Sequence, residues 1–321
     1  WSAEMSQLDR FDAILIAPAS RNLIARMVHG ITDEPLLMAL AAAKARDVLQ
    51  VLIPSMHEDL ATESTTMNNI SELEKQGVVV KWGPLSEGKR KQLSPDAIVL
   101  ELSHNLHKHK QNKYLIGITL GSGSESLDPI RSITNTSTGK TGKILARHLY
   151  ANGHDIITIE GNTTFKLPYH PWKKVYAKSH AEMKKSIITE IQKRERPHCW
   201  IWAAAIADYF TKNSNDIKWD SELDSRQITL YRSTKIIEEV QQLLEKNTKQ
   251  IGFKLTSGLT NDEALERGHE LCTKLKLEGV VVNRLEDLEE CKRTIITSKQ
   301  KSPVFTNKQL CQKIMEILEG L

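Results

Sequence analysis

Aromatic residues make up only 5% of the 321 positions, and only four residues are cysteine. Cys199, Cys272, Cys291 and Cys311 are far apart and form no Cys-x-x-Cys pair. Neither a zinc site nor a disulfide framework follows from them, and reduced thiols in a cytoplasmic protein are the expectation. Apolar runs are short: Leu36–Ala43 is among the longest, well under the ~20 residues a membrane span needs. No secretory h-region opens the chain, and it does not start with Met, which reads as a processed or truncated product. The net charge of +4 is modest, and scarce aromatics argue against a nucleic-acid surface, where basic residues gather with exposed rings. Small anionic substrates are enough to explain the balance. Two cofactor loops are missing as well: neither G-x-G-x-x-G nor G-x-x-x-x-G-K-[ST] occurs. That weakens a nicotinamide-dependent reductase in particular.

What is present is a soluble, globular composition, with 40% hydrophobic and 26% charged residues in a chain long enough for two domains. Short apolar runs alternate with helical patterns from the start. Ala13–Ala17, Val48–Ile53 and Val78–Lys81 read as strands; Asn22–His29, Pro35–Ala43 and Asn69–Gln76 read as helices. Residues 83–96 are turn-rich. Residues 103–113 hold three lysines and His104, His107 and His109; without neighbouring carboxylates this reads as a solvated linker rather than a metal site.

A second alternating unit follows. Strands are expected at Tyr114–Leu120, Asp155–Ile159, His198–Ala205, Gln227–Tyr231, Gln250–Lys254 and Gly279–Asn283. Helices are expected at 140–150, 180–192, 234–245, 261–275 and 305–321. The pattern implies two doubly wound parallel-sheet α/β domains, the C-terminal one Rossmann-like. The expected boundaries are 1–103, a linker at 104–113, and 114–321.

The segment Ile133-Thr-Asn-Thr-Ser-Thr-Gly-Lys-Thr-Gly142 is a polar, glycine-punctuated turn that opens onto a helix. Such a turn offers backbone N–H groups and a positive helix end to an anion. Ala203-Ala-Ala-Ile-Ala-Asp-Tyr209 is a small-residue strand ending at a carboxylate, where a flat ligand could lie near the backbone. Taken singly, either could be ordinary loop geometry. Together with the upstream Leu127-Asp-Pro-Ile-Arg131 they resemble the signature of the phosphopantothenoylcysteine synthetases. Further pieces agree in order: Glu160-Gly-Asn-Thr163, Ala181-Glu-Met183, Ile217-Lys218, Gly252-Phe-Lys-Leu255 and Val280-Val-Val-Asn283. The resemblance covers about residues 115–290.

That resemblance implies a ligase in which 4′-phosphopantothenate is activated by CTP, with Mg²⁺, and then joined to cysteine. Pyrophosphate and CMP leave. Asn135 would polarise the carboxylate and acyl carbonyl, unless it only caps the helix. Ser137, Gly139, Gly142, Ala204 and Asp208 would hold the nucleotide, and Lys218 would contact it unless it is simply an exposed lysine. Phe253 would lie beside the base or else be a core residue. Lys274 and Lys276 would form a flap over substrate phosphates or be ordinary helix-surface lysines. Gly252-Phe-Lys-Leu255 departs from the bacterial form, which leaves ATP open, and the metal ligands are not identified. A homodimer or higher homo-oligomer is implied.

The first third resembles the latter half of a flavin-dependent phosphopantothenoylcysteine decarboxylase, through Ala17-Pro-Ala-Ser-Arg-Asn-Leu-Ile-Ala-Arg26 and Pro54-Ser-Met-His57. No His precedes His29 and no Cys precedes Cys199, so that family's catalytic pair is missing. His57 stands where Asn is usual, and Asn22 alone cannot make a flavin site. The expectation is a residual scaffold without FMN or decarboxylase activity in this chain. The rival reading is a non-catalytic flavin- or nucleotide-binding scaffold.

Overall fold

The apolar run that opens the first unit forms β1 (Ala13–Ala19), and Ser20 then caps α1 (Arg21–Val28), its hydroxyl accepting from the Leu23 N–H at 3.2 Å. The computed structural model describes residues 11–108, 113–212, 217–220 and 225–320. These fall into two compact units, residues up to 108 in one and those from 113 onward in the other, with 151–153 grouped with the first.

In the first unit α2 (Pro35–Ala45) starts on a proline, whose missing N–H costs nothing in a first turn. It leads to β2 (Leu49–Pro54), buried from Gln50 onward. Then come β3 (Met56–His57), α3 (Glu58–Thr62), α4 (Ser64–Lys75), β4 (Val79–Val80), β5 (Leu85–Ser86), β6 (Lys89–Arg90) and α5 (Pro95–Lys108). β1, β2 and β4 make a parallel sheet, and β3, β6 and β5 a small antiparallel one, of which β5 and β6 fall in the region expected to be turns. Ile24, Ile70 and Leu73 pack from the helices onto Ala19, Leu52 and Val80. Helix α5 corrects the expected linker. It runs through residues 104–108 and buries His104 and Asn105, because apolar positions continue along one face from Ala97. His109 lies outside the described residues.

The second unit begins with β7 (Leu115–Leu120), β8 (Ser124–Ser126) and β9 (Ser132–Thr134), followed by α6 (Lys140–Ala151), β10 (Asp155–Glu160), β11 (Lys173–Tyr176) and α7 (His180–Ile191). It continues with β12 (Cys199–Trp202), β13 (Tyr209–Phe210), β14 (Tyr231–Arg232), α8 (Ile236–Val240), β15 (Lys249–Thr256) and α9 (Asn261–Leu275). β16 (Gly279–Arg284), β17 (Arg293–Ile296), β18 (Lys301–Val304) and α10 (Asn307–Glu319) complete it. The main sheet has the order β11-β10-β7-β12-β15-β16-β17-β18. It is parallel through β16, and β17 and β18 add an antiparallel edge. The parallel α/β architecture is therefore as expected, and the antiparallel edge was not foreseen.

Side-chain size explains the centre of this sheet. Trp200 on β12 is fully buried and stacks on Trp202, two residues along the same face, with ring centroids 5.1 Å apart. Its opposite number on β7 is Gly117, where a Cβ would meet the Trp200 ring at 2.7 Å. Helix α9 presents Ala264, Gly268, Cys272 and Leu275 at steps of three and four, the spacing of one helical face. Capping boxes at Ser179/Glu182, Thr260/Glu263 and Thr306/Gln309 fix where α7, α9 and α10 begin.

Three elements differ from expectation. β12 is regular only to Trp202, and Ala205, where the expected strand ended, rejoins the β7 side as an isolated parallel bridge to Ser122. The strand expected at Gln227–Tyr231 reduces to Tyr231–Arg232, paired with β13 outside the main sheet. The helix expected over 234–245 is the short α8 followed by a 3₁₀ turn, Gln241–Leu243.

Candidate functional site

Strand order locates the crevice. From β7 the chain moves outward to β10 and β11, then crosses back to the other side of β7 as β12. The order reverses between β7 and β12. In open α/β sheets the loops beyond the carboxyl ends of such a strand pair diverge and leave a ligand crevice.

The two segments singled out from sequence meet there. After β7, Gly123 donates its N–H to the Ala205 carbonyl at 2.8 Å, and the Ala205 N–H returns a bond to Gly121 O at 2.9 Å. Asn135 Nδ2 donates to the same Ala205 carbonyl at 2.9 Å. One carbonyl thus ties three loops together. Asn135 is exposed and lies five residues before α6, so it is not that helix's cap. A primary amide carries a second N–H and an acceptor oxygen, which suits it to a carboxylate or acyl oxygen.

Glycines let the loops approach. At Gly121 (φ +84°) a Cβ would sit 2.6 Å from the Asn162 carbonyl, and at Gly139 (φ +74°) 2.7 Å from the Thr163 methyl. At Gly142, in the first turn of α6, it would sit 2.5 Å from Leu120 Cβ. The Gly139 and Lys140 N–H groups reach back to the Ser137 and Thr138 hydroxyls at 3.4 and 3.3 Å. Ser137, Gly139 and Gly142 are therefore gathered at one helix N-terminus, beside Asn135.

The small-residue segment directs much of its backbone inward. Ala203 N–H bonds Thr119 O at 3.0 Å and Ala204 N–H the Thr119 hydroxyl at 3.4 Å. Asp208 stands exposed beyond it, its carboxylate paired with Lys235, while its carbonyl accepts from Ser233 N–H at 2.8 Å. Lys235 immediately precedes α8 and sits 27 residues from Asp208. No spacing rule could have marked it.

Asp128, part of the quoted motif but not singled out, proves to organise this side. Its buried carboxylate accepts from the N–H groups of Ile130 (2.8 Å), Arg131 (2.6 Å) and Trp219 (3.0 Å) and from the Arg131 guanidinium (2.6 Å). Burial alone would raise its pKa. The Trp219, Arg131 and Ile130 N–H bonds outweigh that and hold the carboxyl well below the usual carboxylate range. The bond to Trp219 moors exposed Lys218, the preceding residue, to the β8–β9 turn.

Other expected residues are placed elsewhere. Phe253 is half-buried within β15, three residues short of the strand's end. Lys274 and Lys276 lie at the C-terminus of α9, next to the amino end of β16, the opposite edge of the sheet from Asn135. Lys274 is bonded to Glu238 at 2.6 Å, and Lys276 is the left-handed cap residue. Within this unit they are helix-end lysines and are not brought to the crevice. In the first unit Asn22 is exposed in the first turn of α1, and His57 immediately precedes α3.

The four thiols are free, and three are buried. Burial pushes Cys311 up to about 12, and raises Cys199 and Cys272 as well. They are packing residues, far from the thiolate state a nucleophile needs. Among the described residues no helix is long and apolar enough to cross a membrane.

A doubly wound sheet with glycine-rich loops at its switch point defines an α/β protein of the Rossmann-like class. Within that class, residues 111–320 match the family described as the DNA/pantothenate metabolism flavoprotein C-terminal domain, and the chain belongs to it. Residues 1–107 match the family described as Flavoprotein. The coenzyme A biosynthesis bifunctional protein CoaBC of Thermococcus kodakarensis is 27% identical over 317 residues, 98% of this chain and 77% of that protein. The fold is similar to the crystal structure of the DNA/pantothenate metabolism flavoprotein from Streptococcus pneumoniae, with a TM-score of 0.58 and 22% identity over 64% of this chain and 99% of that one. It is similar too to the C-terminal domain of a CoaBC protein, with a TM-score of 0.53 and 24% identity over 66% of this chain and 97% of that one.

Proposed function

We propose that the chain is an enzyme of coenzyme A biosynthesis, and that its second unit is a phosphopantothenate–cysteine ligase. The observation that carries this reading is the three-way junction at Ala205, where Asn135 and the small-residue segment share the switch-point crevice. A carboxylate-activating ligase needs just that neighbourhood: a neutral amide for the acyl group beside a nucleotide platform.

In the proposed reaction a carboxylate oxygen of 4′-phosphopantothenate attacks the α-phosphorus of CTP, and pyrophosphate leaves as the new P–O bond forms. The cysteine amine then attacks the acyl carbon, loses a proton and expels CMP. The α6 N-terminus, with Ser137, Gly139 and Gly142, offers N–H groups and a positive dipole end to phosphate oxygens. Asn135 donates to the carboxylate and then to the acyl oxygen as charge builds on it. Asp208 and Lys235 hold the nucleotide side, and Lys218 supplies a further cation. Mg²⁺ suits an exposed carboxylate such as Asp208 together with triphosphate oxygens, since it favours few protein ligands and keeps its waters. It would neutralise charge on the leaving pyrophosphate. The Ala203, Ala204 and Ala205 N–H groups are already bonded within the protein, so CTP is distinguished from ATP by other groups. The reading includes a homodimer and a cytoplasmic location.

The test is an assay with 4′-phosphopantothenate, cysteine and either CTP or ATP with Mg²⁺, following pyrophosphate and the nucleoside monophosphate. Turnover with one nucleotide, dependent on all three substrates, is expected. No pyrophosphate with either nucleotide would sink the proposal. The match of residues 1–107 to the Flavoprotein family favours one alternative, a flavin-binding scaffold. A yellow purified protein without ligase turnover would establish that instead.

A further inference from the structure

Beyond β10 the chain makes an excursion over residues 161–172 before returning as the edge strand β11. With the first turns of α6 this loop encloses a cleft of about 300 Å³, lined among others by Lys143, Glu160, Lys166, His170, Trp172 and Lys174.

Two of the charges serve the fold. Buried Lys143 donates to Thr163 Oγ1 and to the Phe165 carbonyl, both at 2.8 Å, and lies 3.5 Å from Glu160 Oε2. Glu160 is 2% exposed and also accepts from the Thr158 hydroxyl at 2.8 Å. An ammonium has three N–H donors, and here all three have acceptors. Lys143 and Glu160 therefore cancel in charge and pin the loop.

The remaining groups have no such role. Lys166 is exposed, and Lys174 is half-buried with its ammonium 2.9 Å from His170 Nε2. The ammonium can only donate, so His170 accepts there as a neutral ring. Burial, then the Lys174 charge, lowers the His170 pKa, with Lys143 adding to this and the ring's backbone bond and Glu160 opposing it. Trp172 is 8% exposed, and its indole N–H is buried without a partner in the structure. Tyr176 adds an aromatic wall beneath the Lys174 ammonium, 5.4 Å from its ring centroid. One cleft thus holds two uncompensated ammonium groups, a neutral imidazole and an unmatched N–H donor. A dianionic phosphate suits the two ammonium groups, two charges against two, with an oxygen to spare for the indole N–H.

We propose that this cleft is an anion-binding site separate from the Asn135 turn, and that it takes the phosphate group of a small organic phosphomonoester. Lys166 and Lys174 are its charge partners, and Trp172 and Tyr176 flank the organic part. The volume leaves room for a short tail, at the small end of ligand pockets. This proposal stands whether or not the ligase reading holds.

The test is an NMR titration of the full chain with inorganic phosphate, reading the Trp172 indole N–H and the His170 imidazole. Both resonances are expected to shift saturably, and the His170 pKa to rise as phosphate binds. The Lys166→Gln/Lys174→Gln variant, altered at an exposed and a half-buried position, is expected to weaken binding at least about tenfold with unchanged circular dichroism. Asn135→Asp is expected to leave this titration unchanged. Resonances unmoved by phosphate, or equal binding by the double variant, would overturn the proposal. So would loss of the shifts in Asn135→Asp, which would place the anion in the other turn. Acetate binding as well as phosphate would overturn the assignment of a phosphate group.

Discussion

Both units place a helix just beyond the carboxyl end of a parallel strand, yet they use the polar groups there differently. After β1 the side chains are engaged with one another. Arg21 bonds Glu63 and Thr66, both at 2.8 Å, clamping α1 to α4, and Arg26 bonds Glu34 at 2.8 Å. After β7 the stitching is done by backbone groups and by Asn135, while Asp208 and Asn135 stay exposed. A Cβ at Gly121 would collide with the Asn162 carbonyl, and one at Gly139 or Gly142 with the Thr163 or Leu120 side chain, so these segments pack closely. The comparison teaches that the fold supplies an edge. At the second edge close-packed backbone carries exposed side chains, Asn135 on the Ala205 carbonyl and Asp208 beside Lys235, where the proposed site lies.

The largest expected effect would break the comparison outright. On the proposed ligase reading, Asn135→Asp should lower turnover by about 10²-fold or more, since it replaces a donor with a charge that would repel the carboxylate to be activated. Asn22→Asp, the same change beyond β1, should leave pyrophosphate release unaltered. Equal losses would mean that the chemistry is not confined to the second unit.

Next come two left-handed glycines that differ mainly in their surroundings. Gly121→Ala adds a backbone clash at 2.6 Å to the strain of its φ, whereas Gly30 (φ +65°) has nothing within 4 Å of its added Cβ. Calorimetry should show a loss of about 3 kcal/mol for the first and about 1 kcal/mol for the second.

Asp128→Asn is a subtler probe. It removes the charge that holds the Arg131 guanidinium and weakens the acceptor for Trp219, so Lys218 loosens. KM for the nucleotide should rise about tenfold with a smaller change in kcat, roughly the value of one charge-assisted bond. An unchanged KM would detach Lys218 from the nucleotide.

The smallest effect concerns acid. Glu63 caps α4 and is pulled down to about 2, chiefly by the Thr65 N–H and then by Arg21. Its folded pKa lies below the ordinary 4.5, so its stabilisation is complete above that value and fades as pH falls toward 2. Glu63→Gln should flatten that part of the melting-temperature profile of the first unit. An unchanged profile would show that the cap contributes nothing measurable.

Legibility from sequence was uneven for identifiable reasons. The parallel core was readable because buried strands carry short apolar runs, such as Leu115–Leu120 and Val280–Val282, and helices such as 261–275 carry both a capping box and a single apolar face. β17 and β18 were missed because an antiparallel edge after six parallel strands has no local signal, and Arg293 and Pro303 disguise it. The linker expected at 104–113 misled because histidine and lysine suggested solvent, while the helix turned His104 inward. At the candidate site, Asn135, Ser137, Gly139 and Gly142 were legible because they share one short turn. Asp128, Lys235 and the misplacement of Lys274 and Lys276 were not, since each depends on which chain segment lies opposite.

The sequence by itself determined the alternation of strands and helices, the anion-type turn at 133–142 and the ordered motifs of the family resemblance. All of these depend on residues near one another in the chain. The tertiary structure alone decided that β12 returns beside β7, that the Ala205 carbonyl joins three loops, and that Lys166, His170, Trp172 and Lys174 share a cleft. Such contacts follow from sheet order and loop closure, to which every strand contributes and which no local pattern encodes.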